Sequence, residues 1–305
     1  MTMTIEAPVT LGRARPVTSG RLPAVHPFSL RPAAALVRRL PALYGDVEAD
    51  GETLIAALAI ERRRFGLRVF PDPIGVGYQV WGDHAPGDGD HEEIRWTIDR
   101  WLRLSDDVTE FHRLARKDDP RFAAVAQAAW GMHRLCYPTL AEAVVSHVLA
   151  ADLTWPMVLR LKRRLVLAYG GAVTVGGHTV TTFPEFADLL RVNPREYADL
   201  LDDARRGAAL TAALHAVVEL GPDWLRTAPY DEVEEALRHA PGIGEYAGEG
   251  ILENGLGRME GLPSFAASHP LVRRLYGPGR SLEAIHAYYG RHIGYWAYYL
   301  VNSAG

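Results

Sequence analysis

A single cysteine, Cys136, in 305 residues leaves no partner for an intramolecular disulfide. It also excludes a multi-cysteine zinc site and a four-cysteine iron–sulfur cluster, so metal-free chemistry without a cofactor is the expectation. Long apolar runs are lacking as well. The stretch LTWPMVLRLKRRLVLAY is broken by Pro156, Arg160 and Lys162-Arg163-Arg164, well short of the ~18 apolar residues of a membrane span. No membrane protein is expected. Residues 1–25 carry Arg13, Arg15 and Arg21 but no apolar secretion core; they read as a flexible tail, and the cytoplasm is the expected compartment. There is no excess of positive charge either. The net charge of −4 gives no global signature of nucleic-acid binding, so such a function has to rest on local geometry. Six arginines nevertheless stand against Glu6 in residues 1–40, and 160–164 is basic, whereas 231–260 is acidic.

What is present is the composition of a folded chain, with 48% hydrophobic and 23% charged residues. The length is about twice the ~150-residue domain prior. Segment 26–80 combines a short helical pattern, Pro32 to Leu43, with alternating stretches such as FGLRVF and IGVGYQVWG that predict strands. After the turn cluster at 84–91 the periodicity becomes helical almost throughout. The reading is mainly α with a small amino-terminal α+β domain over 26–115 and helical domains over 116–305. Pro138-Thr139, Thr154-Trp155-Pro156 and Asn193-Pro194 mark helix starts, and Gly170-Gly171 closes a helix. Only GAVTVGGHTVTT, 171–182, predicts a hairpin or loop in the second half.

The most informative stretch is VEEALRHAPGIGEYAGEGIL, 233–252. A helix ends at His239, the turn Pro241-Gly242-Ile243-Gly244 follows, and a helix rich in small residues starts at Glu245 or Tyr246. Gly242 and Gly244 are free to take positive φ, and Ile243 can pack back between the helices. Backbone N–H groups would then face outward at a helix start and cradle an anion such as a phosphodiester. Without further context the same string is an αα-hairpin joined by glycine.

Taken with SHPLVRRLYG downstream and the terminal HIGYWAYYL, this string resembles the helix-hairpin-helix GPD superfamily of base-excision DNA glycosylases. Within it the chain is most similar to the bacterial 3-methyladenine DNA glycosylase II family. YQVWG, WLRLSDDVTEFHRLARKDDPRF, WGMHRL, AVVSHVLAADLTW, FPEFADLL and DDARRGAAL continue the resemblance after residue 26. It implies two helical lobes around a cleft, a hairpin gripping double-stranded DNA, and a damaged or modified base rotated into an aromatic pocket. Tyr246, Trp155, Phe183 and Trp130 are the pocket candidates, core packing being the other reading of each. Arg134 or Leu135, in the WGMHRL turn, matches the place where the family fills the gap left by the flipped base. Where lyase members carry a lysine beyond the hairpin, this chain has Tyr246, which implies a monofunctional enzyme. With one cysteine no iron–sulfur cluster is expected, and a monomer is expected.

The catalytic aspartate of the family falls on Ser268 or His269, so no carboxylate stands there. The oxocarbenium-like sugar formed on N-glycosidic cleavage calls for an anion nearby. Three explanations remain open: His269 acts as a general base; another acid such as Asp152, in the run LAADL, takes over; or the protein binds lesions without cleaving them. Glu245 and Glu249 also repel a phosphate at the hairpin, which Arg273, Arg274 and the 160–164 cluster would offset. The leading expectation is excision of alkylated or otherwise modified bases. The alternatives are a non-catalytic lesion-binding protein of the same fold and a helical interaction protein that reuses the hairpin.

Overall fold

The structure, a computed structural model, describes residues 10–11, 15–41, 43–44, 46–264, 266, 270–277 and 280–302. His269 and Ser268 lie outside the described residues. Strand β1 (Thr10–Leu11) runs parallel to a later strand of the chain, and β2 (Thr18–Pro23) opens a five-stranded antiparallel sheet. The residues from 18 to 23 are therefore an ordered edge strand and not part of a flexible tail: Thr18 to Pro23 pair residue by residue with 75–80. Helix α1 (Leu30–Arg39) crosses the sheet, whose other strands are β3 (Glu48–Asp50), β4 (Thr53–Ile60), β5 (Arg63–Asp72) and β6 (Gly75–Trp81). Their order is β2-β6-β5-β4-β3.

Alternation along β4 sends Leu54, Ala56 and Leu58 to one face, under α1 and α2 (Asp88–Leu102), and Ile55 and Ala57 to the other. Helices α3 (Thr109–Ala115) and α4 (Pro120–Ala128) extend the first core. Helix α5 (Leu140–Ala150) is buried at every position, which its nearly unbroken apolar composition demands. Helix α6 (Trp155–Tyr169) starts behind Thr154 with Pro156 in its first turn, where the missing N–H costs nothing. The hairpin β7 (Gly171–Val175) and β8 (His178–Thr182) turns at Gly176-Gly177, both at positive φ, and Val173, Val175 and Val180 pack on Ile55, Ala57 and Trp81.

Helices α7 (Phe186–Leu189), α8 (Pro194–Leu201), α9 (Ala204–Leu220), α10 (Pro222–Thr227) and α11 (Tyr230–His239) complete the second lobe with α12 (Gly244–Gly250). The last of these continues into a π-helical turn, Ile251–Gly255. Helices α13 (Pro270–Tyr276), α14 (Leu282–Tyr289) and α15 (Ile293–Asn302) then return to the first lobe.

The two cores do not follow a boundary near residue 115. One joins residues 22–135 to the carboxy-terminal helices, and the other spans 140–256. Tyr289, Trp296 and Tyr299 supply the aromatic surface on which Phe111 and Phe122 close, so α3 and α4 belong with the end of the chain. Among the described residues no helix is long and apolar enough to cross a membrane.

Candidate active site

The α11–α12 hairpin has the geometry its glycines allow. Gly242 and Gly244 take φ of 79° and 69°, while Ile243 tucks into the second core at 6% exposure. A Cβ on Gly242 would lie 2.1 Å from the Ala209 carbonyl oxygen, so the turn is pressed against α9; one on Gly244 would meet open space. Pro241, Gly242, Gly244 and Glu245 are exposed, leaving the first N–H groups of α12 toward solvent.

Directly beyond the turn, Tyr246 is 51% exposed and lines a cavity of about 290 Å³ between the lobes. Trp155, at the start of α6, lines it as well. The first lobe contributes Tyr44 from the segment after α1, and Tyr298 from α15. His147 of α5 meets Trp155 edge-on at 5.4 Å and Tyr137 at 5.9 Å. Burial, with Arg134 and Lys162 nearby, pushes its imidazole down to about 3, so it is neutral at pH 7.

The polar wall comes from the π-helical turn. Such turns occur mostly as single bulges within α-helices, frequently at functional sites, and this one lets both Glu253 and Asn254 face the cavity. Arg134 Nη2 donates to Asn254 Oδ1 at 2.5 Å and to Glu253 Oε2 at 3.3 Å, and its guanidinium lies 4.5 Å over the Tyr298 ring. Burial raises the Glu253 carboxyl, Arg134 lowers it and Glu249 raises it, the net direction being upward. Glu249 is occupied otherwise: it accepts from the Ser264 N–H at 3.0 Å and hydroxyl at 2.7 Å. A planar heterocycle entering this cavity would meet aromatic faces on several sides and one carboxylate clamped by arginine.

Of the candidates named from the sequence, the structure brings together Tyr246, Trp155 and Arg134. Arg134 is 6% exposed and fixed in the wall, which prevents it from protruding into a duplex. Leu135 is wholly buried in the first core and cannot act as a wedge. Phe183 is likewise core, 5.9 Å from Lys162 Nζ, and does not line the cavity. Trp130 lies on a separate cavity of about 470 Å³ beside α1, its ring tilted against that of His112 with centroids 4.2 Å apart. Asp152 sits past the end of α5 in solvent, paired with Arg206 at 3.0 Å, and does not face the cavity. Arg273 and Arg274 are exposed on α13. In the basic cluster, Lys162 is buried between Asp46 (2.7 Å) and Glu142 (2.8 Å), and Arg164 is tied to Asp202; neither is free for phosphate.

Glu253, Asn254, His147, Tyr44 and Tyr298 escaped the sequence reading. For Glu253 a signal existed: Tyr246, Glu249, Gly250 and Glu253 recur at helical spacing and form one face. Tyr44 and Tyr298 have no such signal.

No family model matches the chain. Over 163 residues it is 28% identical to a DNA-3-methyladenine glycosylase of Bacillus subtilis, 53% of this chain and 54% of the relative, so it spans about half the length of the curated relative it matches. A 3-methyladenine DNA-glycosylase from Archaeoglobus fulgidus superposes with a TM-score of 0.72 at 17% identity, covering 93% of this chain and 96% of that one. The apo 8-oxoguanine glycosylase/lyase of Clostridium acetobutylicum gives 0.62 at 17% identity, covering 87% and 92%. The protein described as MBOgg1, solved with a low-affinity DNA ligand, gives 0.63 at 18% identity over 84% and 86%. With its glycine hairpin, two lobes and intervening aromatic cavity, the chain has the helix-hairpin-helix DNA glycosylase fold.

Proposed function

We propose that the protein is a monofunctional DNA N-glycosylase that acts as a monomer on duplex DNA and excises alkylated or otherwise modified bases. The observation that carries this reading is Tyr246: it stands on the first helical turn after the hairpin and on the wall of the cavity between the lobes. A backbone gripped by the exposed turn would thus hold its neighbouring nucleotide at the mouth of an aromatic pocket. Trp155, Tyr44 and Tyr298 supply the other faces on which a flipped base stacks. Electron-rich rings and a carboxylate favour a base that is cationic, as alkylated purines are, and such bases are also good leaving groups.

Lyase chemistry by a side-chain amine has no support in this cavity. The chain contains two lysines: Lys117 is exposed after α3, and Lys162 is locked between Asp46 and Glu142, so neither lines the pocket. Hydrolysis by water is the reaction this leaves.

The test is single-turnover incubation with duplex DNA containing a methylated purine, following released base by chromatography and abasic sites by alkali cleavage. Release above the heat-labile background, reduced by Tyr246→Ala, is the expected result. Tight, salt-sensitive binding to an abasic-analogue duplex without release would identify the lesion-binding alternative, motivated by His269 in place of aspartate. Binding with no dependence of log affinity on log salt would overturn both DNA readings.

A further inference from the structure

We infer that Glu253 is the catalytic carboxylate of this site, an inference that rests on the glycosylase reading above. The position of the family's aspartate carries His269 or Ser268, yet the sugar cation still requires an anion near C1′. Among the described residues, the carboxylates lining the cavity are Glu249 and Glu253. Both oxygens of Glu249 are engaged by Ser264, which ties α12 to the segment leading to α13. Among the described residues Glu253 is held from one side, through Oε2 at 3.3 Å from Arg134 Nη2.

Among the described residues no other acid lines this cavity. Asp152 is in solvent with Arg206, and Asp46 and Glu142 are locked on Lys162. Glu253 is only 15% exposed, on the π-helical turn that points it into the cavity lined by Tyr246 and Trp155. Burial raises this carboxyl; Arg134 opposes that rise, favours the ionised form and fixes its direction, while its second contact, Asn254 Oδ1, fixes the arginine. Arg134 is in this scheme a positioning residue.

The step balances without any other reactant than water. The C1′–N bond breaks and its electron pair leaves with the base, which departs neutral if it entered as a cation. The carboxylate faces the sugar cation; water adds its oxygen to C1′ and passes a proton to Glu253, which releases it to solvent. The products are free base, an abasic sugar and one proton.

The experiment compares wild type, Glu253→Gln and Asp152→Asn in single-turnover base release, with thermal melting and abasic-analogue duplex affinity measured for each. Glu253→Gln is expected to slow release about 100-fold or more while affinity stays within about twofold; Asp152→Asn is expected to match wild type. Added formate is expected to restore part of the rate of Glu253→Ala, which a purely structural glutamate would not show. Release by folded Glu253→Gln at the wild-type rate would overturn the inference and leave the glycosylase reading intact. Absence of release by wild type itself would overturn that reading and the inference with it. Should Glu253→Gln lose its cooperative melt, the wild-type pH profile decides: release that falls with acidification supports the assignment, and a flat profile between pH 4 and 8 overturns it.

Discussion

The Nδ1 atom of His147 occupies the space that a side chain at Gly250 would need: a Cβ there would lie 2.0 Å away. Helix α12 and helix α5 thus meet through one missing methyl group, and the imidazole that backs Trp155 depends on it. Gly250→Ala is expected to push His147 out of place, costing about 1–3 kcal/mol from overpacking. Base release should fall more than duplex affinity, because the pocket wall changes and the hairpin does not. Urea denaturation and single-turnover release check the two halves of this prediction.

Gly242 and Gly244 share a positive φ but not their surroundings. Gly242→Ala adds a clash with the Ala209 carbonyl to the left-handed backbone strain, and a loss above about 2 kcal/mol is expected. Gly244→Ala bears only the backbone term, about 1–2 kcal/mol. Denaturation midpoints that rank the two in the opposite order would contradict the packing of the turn on α9.

Among the described residues Lys162 is the cation that pairs with both the Asp46 and Glu142 carboxylates, and its ammonium also lies 5.1 Å over the Tyr137 ring. Removing it strands two buried acids. Lys162→Met is expected to destabilise the fold by about 3–5 kcal/mol, read from urea unfolding. An unchanged midpoint would show that the carboxylates find water or protons at no cost.

The pH dependence of release follows from the groups around Glu253. Burial raises its carboxyl, Arg134 lowers it and Glu249 raises it, while the phenols of Tyr230, Tyr246 and Tyr298 stand nearby uncharged at neutral pH. Because the ionised form is the active one, release falls as pH drops through its titration. Arg134→Gln removes the lowering influence, so the acid limb of the profile is expected to move to higher pH. A limb that stays put would show that another group titrates.

His147 and His112 are buried neutral, pushed down to about 3 and about 4, chiefly by burial. Their folded values lie below the unfolded value of about 6.5, so the stability they contribute is complete above that pH and is lost as pH falls toward 4. Glu142, pushed up to about 7 mainly by burial, acts in the opposite sense over the same range. The comparison is therefore between wild type and His147→Gln. The variant is expected to lose less stability on acidification from pH 6.5 to 5, by about 1.4 kcal/mol per pH unit, in urea titrations.

Much of the fold was legible because it is local. Asn193 and the Gly176-Gly177 turn act on backbone groups within four residues of themselves, Thr154 marks a helix start without a side-chain cap bond, and each stands where the periodicity placed it. The ordered edge strand at 18–23 was not legible: its pairing partner is 75–80, and nothing nearby in the sequence announces it. The sequence groups Lys162 with the 160–164 cluster as an offset to the acidic hairpin for the same reason, since Asp46 and Glu142 lie on other elements.

By itself, then, the sequence determined the helix starts, the β-hairpin and the glycine turn with Tyr246 behind it, because φ preferences and contacts a helical turn apart are written in adjacent residues. Only the tertiary structure decided which side chains share the cavity. It buried Leu135 and Phe183, sent Trp130 to a neighbouring cavity, left Asp152 in solvent, and turned Glu253 inward beside Arg134. Burial and ion pairing are settled by elements far apart in the chain packing against one another, and that information is held by no single stretch of it.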